Sequence, residues 1–220
     1  REIVEERIGK EYLNELYGVY DSVDEIDWND LPDKFIMKLN NGCGNHVICE
    51  DKSNLNVKEA IRTLKRGMIT KHHYYSFEWT YEGIKPKIIC DKLPLDYKIF
   101  CSEGKPKFLF ITSGRADGDV RFDFYDLEFN HLPVMGKRPN SDFPLSKPKN
   151  FEKMLELAAK LSEGFPQVRV DFYNINGQII FGELTFFSGG GVGYFTPDHY
   201  DYIFGELIDF PLNKYYNIDS

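Results

Sequence analysis

The stretch VRVDFYNINGQIIFGELTFFSGGGVG, residues 168–193, predicts two strands joined by a turn and followed by a glycine-rich loop. Apolar and polar side chains alternate through most of both strands, as in a sheet with one buried face. The dipeptide Asn176-Gly177 favours a tight hairpin between them. The register of this hairpin decides which side chains share its polar face.

Two registers are open to the hairpin. A two-residue loop at Asn176-Gly177 would place Val170 opposite Glu183 and mix apolar residues with a carboxylate on one face. A three-residue loop, with Gly177 left-handed and forming a bulge, separates apolar from polar residues. Because the hydrophobic pattern sets the register, we expect the second option. It pairs Arg169 with Thr185 and Asp171 with Glu183 on one polar face.

Directly opposed carboxylates repel each other unless a positive group lies between them. Asp171 and Glu183 could therefore hold a cation, and oxygen-only ligands suit Mg²⁺. The alternative is a solvated outer face with an arginine at its rim. Ser188 and the three glycines of residues 189–191 follow at once, and bare backbone there could approach a ligand closely. This loop favours the metal site.

Composition excludes several classes of protein. With 220 residues, 42% of them hydrophobic, the chain can bury a core in one or two domains. A net charge of −8 without a basic block argues against binding to nucleic acid. No apolar run is long enough for a transmembrane segment, and no signal-peptide pattern opens the chain. The four cysteines lack metal-site spacing, which predicts reduced, buried thiols in a cytoplasmic protein.

The N-terminal half contains a second glycine loop. A predicted linker over residues 18–33 leads to strands at residues 34–39 and 46–50, separated by the loop Asn-Asn-Gly-Cys-Gly-Asn. An ordinary hairpin turn explains such a loop, but its backbone amides could also fold over phosphates. Lys38 is more informative, because burying an ammonium within an apolar strand is costly without an anionic partner.

The other predicted elements follow from periodicity and capping signals. Asp96 and Lys98 share one face of a hairpin at residues 96–112, and ion pairing between strands also explains them. Residues 114–150 form a long polar insert that could line an active site. Helices are predicted at residues 1–17, 57–70, 151–163 with Asn150 as cap, and 197–208 with Pro197 first.

Taken in order, these features resemble the ATP-grasp superfamily. In particular, the chain is similar to the TupA-like (teichuronopeptide biosynthesis) ATP-grasp family, which is associated with polysaccharide synthesis. The stretches that carry the resemblance are LPDKFIMKLNNGCGNHVI, YEGIKPKIICDKL, LDYKIFCSEGKPKF, FYDLEFN and FPQVRVDFYNINGQIIFGELTF.

The resemblance implies an α+β ATP-grasp fold, in which two α+β lobes hold ATP between antiparallel sheets. The implied division is an N-terminal helix and linker at residues 1–26, a small lobe at 27–88 and a large lobe at 89–220. The family also has a preceding segment that supplies another phosphate-binding lysine. Since the chain begins with Arg1, we expect that segment to be missing from it.

The resemblance also implies roles for individual residues. ATP would be bound by residues of the glycine loop, the hinge and the following strand: Lys38, Asn41, Gly42, Gly44, Asp91, Lys92, Leu93 and Asp96. Lys98, Arg115 and Arg169 would act on the reacting groups. Asp171, Glu183 and Thr185 would bind Mg²⁺. Thr185 stands where many relatives have asparagine, a stronger ligand, which bears on whether a second metal binds.

The implied activity is ligation of a carboxylate to an amine. ATP would activate a sugar acid or a glycan carboxylate as an acylphosphate, and an amino acid or related amine would then form the amide. Positioning and charge neutralisation suffice for such phosphoryl transfer, so no nucleophilic side chain is needed. Two alternatives remain open: an ATP-dependent sugar kinase on the same fold, and a non-catalytic nucleotide- or glycan-binding module.

Overall fold

The structure is a computed structural model that describes residues 1–42, 44–71, 73–91, 96–114, 118–175 and 177–208. The chain divides into two compact units. The small unit comprises residues 14–93 and 189–191, and the large unit comprises residues 1–13, 94–188 and 192–220. These boundaries differ from the ones expected after residues 26 and 88.

The small unit is built on an antiparallel sheet with the strand order β1-β4-β2-β3. Helix α2 packs on it through Ala60 and Leu64, and Asn56 caps this helix by accepting a hydrogen bond from the Glu59 amide at 3.1 Å. The elements are β1 (Leu16–Tyr20), β2 (Phe35–Leu39), β3 (Val47–Cys49), α2 (Val57–Ile69), α3 (His73–Ser76) and β4 (Ile88–Asp91).

Strand β1 corrects the prediction for the N-terminal region. Residues 1–17 were expected to be one helix and residues 18–33 a linker, but helix α1 ends at Arg7 and β1 begins at Leu16. An irregularity between Leu16 and Gly18 interrupts the ladder of β1 with β4. This irregularity interrupts the alternation of half-buried and exposed side chains within β1, so the sequence does not show the pattern that predicts a strand.

The large unit is built on an antiparallel sheet with the strand order β7-β6-β5-β8-β9. Helices α1 and α4 pack on one face of this sheet, and α5 packs on the other through Phe204. The elements are α1 (Glu2–Arg7), β5 (Asp96–Ser102), β6 (Lys105–Ser113), β7 (Arg121–Tyr125), α4 (Phe151–Ser162), β8 (Val168–Ile175), β9 (Gln178–Thr185) and α5 (His199–Glu206).

The predicted pairing of Asp171 with Glu183 is confirmed, but the predicted cause is wrong. The hairpin has the two-residue loop, with Ile175 paired to Gln178, and the register shifts later, between Asp171 and Phe172. Gly182 is the extra residue of this bulge. It brings Phe181 onto the same face as Leu184, where both pack against the core, and leaves Ile180 on the opposite face.

Gly182 should be intolerant of a side chain. A Cβ at this position would lie 3.0 Å from the carbonyl oxygen of Asp171, a backbone atom that cannot move without disturbing the ladder. We expect Gly182→Ala to destabilise the protein by about 1 kcal/mol or more in urea denaturation. Gly205→Ala is the matched control, because nothing lies within 4 Å of its Cβ and alanine favours the helix there. Equal stability of the two variants would contradict this account of the bulge.

Two further sequence predictions are wrong, and the structure adds a contact within the predicted insert. Asn150 precedes α4 but makes no capping bond with its side chain, because its backbone is left-handed and its amide donates to the Gly177 carbonyl at 2.8 Å. Helix α5 begins at His199, so Pro197 is not its first residue. The described part of the insert is held in place, since the Ser141 amide donates to the fully buried Asp123 carboxylate at 2.9 Å.

The cysteines agree with the prediction where the structure describes them. Cys49, Cys90 and Cys101 are buried and unoxidised, and burial raises the pKa of the Cys90 and Cys101 thiols to about 12. Cys43 lies outside the described residues. Within the described ranges, no helix is long and apolar enough to cross a membrane.

Candidate active site

The polar residues of the large unit meet on the three strands β5, β8 and β9. Lys98 on β5 lies directly opposite Asp171 on β8, and Asp171 lies opposite Glu183 on β9. Their neighbours in sequence, such as Ile99 and Val170, point into the core with α4. Alternation along each strand therefore gathers the charged groups on the face that α4 does not cover.

Lys98 is a buried cation between two carboxylates. Its side chain is only 9% exposed, its Nζ lies 2.9 Å from Asp96 Oδ2, and it donates a hydrogen bond to Asp171 Oδ2. Burial alone would lower the pKa of Lys98, but the charges of Asp171 and then Asp96 outweigh it and raise the pKa. Lys98 is thus positively charged at neutral pH. The expected placement of Asp96 beside Lys98 is what the structure shows.

Asp171 is the most deeply buried acid of the site, at 1% exposure. Arg169 Nε donates to its Oδ1 at 2.7 Å, and Oδ2 accepts from both Arg169 and Lys98. Burial would raise the pKa of Asp171, but the Arg169 and Lys98 cations outweigh it and hold the pKa below its ordinary value. The alternative of a solvated outer face is therefore excluded for Asp171.

Arg169 contacts all three residues that were expected to bind the metal. Its Nη2 atom lies 2.7 Å from Asp171 Oδ2, 2.9 Å from Thr185 Oγ1 and 3.2 Å from Glu183 Oε1. Burial would lower the pKa of Arg169, but Asp171 outweighs it and raises the pKa further. The positive charge required between the two acids is supplied by this guanidinium.

Glu183 is the outermost member of the site. The pKa of its carboxyl is raised, first because the surrounding protein removes water from it and next because of the negative charge of Asp171. Its side chain nevertheless remains 56% exposed, so water screens much of this effect. An accessible carboxylate beside a buried one gives the site a side from which a ligand can enter.

The oxygen donors fit a magnesium ion. Among the described residues no three His, Cys, Asp or Glu side chains form a metal site, so a cation here would have two carboxylates and the Thr185 hydroxyl. A set with few protein ligands suits Mg²⁺, which keeps waters and shares phosphate oxygens. Three carboxylates against the cations Lys98 and Arg169 also leave one unit of negative charge for it.

Three of the expected nucleotide-binding residues of the small unit, Lys38, Asp91 and Asn41, have partners within that unit. Lys38 Nζ lies 3.0 Å from Asp91 Oδ2, so the anionic partner expected for this lysine is present within the unit. The Asn41 side chain is buried against α2, where its amide donates to the Gly67 carbonyl at 3.4 Å. Gly44 has a left-handed backbone, and nothing lies within 4 Å of where its Cβ would be. Gly42, next to Asn41, leaves that part of the loop as bare backbone.

Three predicted site residues, Lys92, Leu93 and Arg115, lie outside the described residues. Two side chains that contact Arg169 were not predicted to do so from the sequence. Ser188 accepts a hydrogen bond from Arg169 Nη1 at 2.9 Å, and Phe110 lies beneath the guanidinium with its ring centre 5.9 Å from Cζ. The position of Ser188 just ahead of the glycines was a signal for the first. Phe110 gave none, because only the strand order brings it near Arg169.

Two α+β units with antiparallel sheets, one with a glycine loop and one with opposed acids on a hairpin, have the features expected of an ATP-grasp protein. The chain belongs to the TupA-like ATP-grasp family, whose sequence profile matches residues 1–209. No curated protein sequence matches it.

The chain is also similar in structure to solved ligases. D-alanine–D-alanine ligase from Bacillus anthracis, complexed with ATP, gives a TM-score of 0.46 at 12% identity, over 84% of this chain and 51% of the ligase. L-amino acid ligase from Bacillus licheniformis gives 0.45 at 13% identity, over 90% of this chain and 44% of the ligase. The chain thus spans about half the length of these structures.

Proposed function

We propose that the chain is the ATP-binding part of a carboxylate–amine ligase that acts in the synthesis of a capsule, O-antigen or cell-wall polysaccharide. The observation that carries this proposal is the buried Lys98–Asp171–Arg169 cluster with the accessible Glu183 at its edge. The family resemblance supplies the polysaccharide context and the sugar acid as acceptor. ATP chemistry on such precursors implies a cytoplasmic location.

The reaction has two steps. A carboxylate oxygen of the sugar acid attacks the γ-phosphorus of ATP, which forms an acylphosphate and releases ADP. The amine then attacks the acyl carbon, which forms the amide and releases phosphate and a proton. Both steps develop negative charge on phosphate oxygens, so fixed cations in a site shielded from water accelerate them.

In these two steps, each side chain of the site would have the role that its position allows. Lys98, held between Asp96 and Asp171, would present its ammonium to the nucleotide phosphates. Arg169 would neutralise charge on the transferring phosphoryl group, for which its planar fork of donors is suited. Asp171, Glu183 and Thr185 would hold Mg²⁺, which supplies charge neutralisation between the phosphates when bound.

In the small unit, Lys38 and the glycine loop with Gly42 and Gly44 would hold the terminal phosphates. Lys38 already pairs with Asp91, so the phosphates would compete with that carboxylate for the ammonium. The segment that includes Lys92 and Leu93 would bind adenine through backbone groups, and Arg115 would act on the reacting groups. These assignments rest on the family resemblance.

Trapping the acylphosphate tests the proposal. The full-length protein is incubated with ATP, Mg²⁺ and a panel of uronic acids, with hydroxylamine in place of the amine, and hydroxamate and ADP are measured. Hydroxamate that requires both ATP and the sugar acid supports the ligase. ADP with a phosphorylated sugar and no hydroxamate would instead identify a kinase. No ADP with any acid, with amino acids also supplied, would identify a binding module and contradict the proposal.

A further inference from the structure

The Nη2 atom of Arg169 lies where three oxygens converge. Its contacts at 2.7, 2.9 and 3.2 Å are to Asp171 Oδ2, Thr185 Oγ1 and Glu183 Oε1. An Nη2 nitrogen carries two hydrogens, so three acceptors exceed what it can serve with one bond each. Three oxygens from three residues around one positive point form the arrangement of a cation site rather than that of a planar donor.

We propose that Arg169 is a built-in occupant of the metal site, which keeps the ligands together and blocks a divalent cation until nucleotide phosphates arrive. This inference rests on the proposed function, because it takes Asp171, Glu183 and Thr185 as the metal ligands. It adds that the metal and the nucleotide bind interdependently, and that the residue responsible is the same arginine that serves the phosphoryl group.

Electrostatics makes the two occupants mutually exclusive. A guanidinium nitrogen and a divalent cation cannot both lie within about 3 Å of the same three oxygens, because like charges at that separation repel strongly in a partly buried site. Magnesium also requires oxygens at about 2.0–2.1 Å, closer than any of the three contacts to Nη2. Arg169 must therefore withdraw Nη2 before a metal can bind.

Arg169 has the means to withdraw without leaving the site. Its Nε donates to Asp171 Oδ1 at 2.7 Å and its Nη1 donates to Ser188 Oγ at 2.9 Å, and neither bond uses Nη2. The Phe110 ring lies beneath the guanidinium plane. Because the guanidinium is rigid and planar, Nη2 leaves the three oxygens when the plane tilts about the line through Nε and Nη1, a motion that keeps both anchors.

Nucleotide phosphates offer what a free metal ion cannot. They are strong acceptors for the displaced guanidinium, and they complete the coordination of the cation at the same time. A metal ion alone would leave Arg169 without these acceptors. The two bindings are therefore coupled, and by linkage each strengthens the other by the same factor, which we expect to be at least about tenfold.

Mn²⁺ binding to the full-length protein, read from the electron paramagnetic resonance of the free ion, tests this coupling. In the wild type we expect at least about tenfold weaker Mn²⁺ binding without nucleotide than with a non-hydrolysable ATP analogue. The Mn²⁺ that the analogue chelates by itself is measured in a titration without protein and subtracted. Equal affinity for Mn²⁺ with and without the analogue would overturn the proposal, as would no binding in either case. This comparison requires no variant, so it holds even if substitutions impair folding.

A variant then assigns the effect to Arg169. Arg169→Gln removes the charge but keeps a donor amide, and we expect it to bind Mn²⁺ alone at least about tenfold more tightly than the wild type. Adding Glu183→Gln should abolish this gain if the ion occupies the same oxygens. Lys153→Gln is the control, since it removes one positive charge from α4, on the opposite face of the sheet. No gain in Arg169→Gln, or an equal gain in Lys153→Gln, would contradict the proposal.

Hydroxamate formation plays no part in these measurements. A failure to trap an acylphosphate would therefore leave the Mn²⁺ result intact, and uncoupled Mn²⁺ binding would leave the ligase proposal intact.

Discussion

Replacing Glu183 by alanine is expected to abolish Mg²⁺-dependent turnover by the full-length protein, with a loss of at least about a thousandfold, while its fold stays intact. Glu183 is the one accessible carboxylate of the described ion-pair cluster, and Asp171 is already engaged by two cations. Without Glu183, the proposed metal site would keep only Asp171 and the Thr185 hydroxyl as donors, and we expect this set to be too weak to hold the ion. ADP release in saturating ATP and acceptor measures the effect.

The stability of the Glu183→Ala variant provides the control. The side chain is 56% exposed, so its removal should change the free energy of unfolding by no more than about 0.5 kcal/mol. Glu128→Ala, an exposed glutamate in the insert, should leave both ADP release and stability unchanged. Full activity in Glu183→Ala would show that the metal assignment is wrong. Lost activity together with unfolding would show that Glu183 is structural.

Replacing Lys98 by methionine is expected to destabilise the large unit by about 3–5 kcal/mol and to abolish activity. Lys98 is 9% exposed and contacts both Asp96 and Asp171, which are themselves buried. Methionine fills a similar volume but leaves these acids with less positive charge. The loss follows from uncompensated buried charge more than from the loss of the ion pair itself. Urea denaturation followed by circular dichroism measures it.

The pH dependence of this loss distinguishes charge from packing. In the wild type the pKa of Asp171 lies below its ordinary value, so its contribution to stability is present above about pH 4 and is lost as the pH falls through the folded value. In Lys98→Met that contribution is reduced. The stability difference between the two proteins should therefore narrow below about pH 4. A difference that stayed constant with pH would indicate a packing defect.

Lys153, an exposed lysine that also forms an ion pair, is the control for the loss of stability expected in Lys98→Met. Lys153 pairs with Glu156 at 2.9 Å on the surface of α4, with 44% of its side chain exposed. Because exposed ion pairs contribute little, Lys153→Met should destabilise the protein by no more than about 1 kcal/mol and leave activity unchanged. Similar losses in the two variants would contradict the view that burial makes Lys98 important.

The polar face of the hairpin could be predicted from the sequence because alternation is a local property. Arg169 and Asp171 are two residues apart, so they share a face of any strand that contains them. The same reasoning placed Asp96 beside Lys98. Helix α2 was predicted to within one residue, from its apolar periodicity. The resemblance, in turn, identified the fold without any coordinates.

The bulge at Gly182 could not be predicted in this way. It is fixed by which side chains pack against the core across the hairpin, and by the close approach of the Asp171 carbonyl to Gly182. Neither the packing across the hairpin nor this close approach can be predicted from the sequence of a single strand. The sequence therefore predicted the correct opposition of Asp171 and Glu183 with the bulge in the wrong place.

The partners of the charged residues were likewise decided by tertiary structure. Lys98 and Asp171 are 73 positions apart and meet only because β5 and β8 are neighbours in the sheet. Lys38 was expected to need an anion, but only the pairing of β2 with β4 shows that Asp91 provides it. The sequence by itself determined which residues carry charge and which faces they occupy. The order of the strands decided which charges meet, because electrostatic energy depends on distance in space and not on separation along the chain.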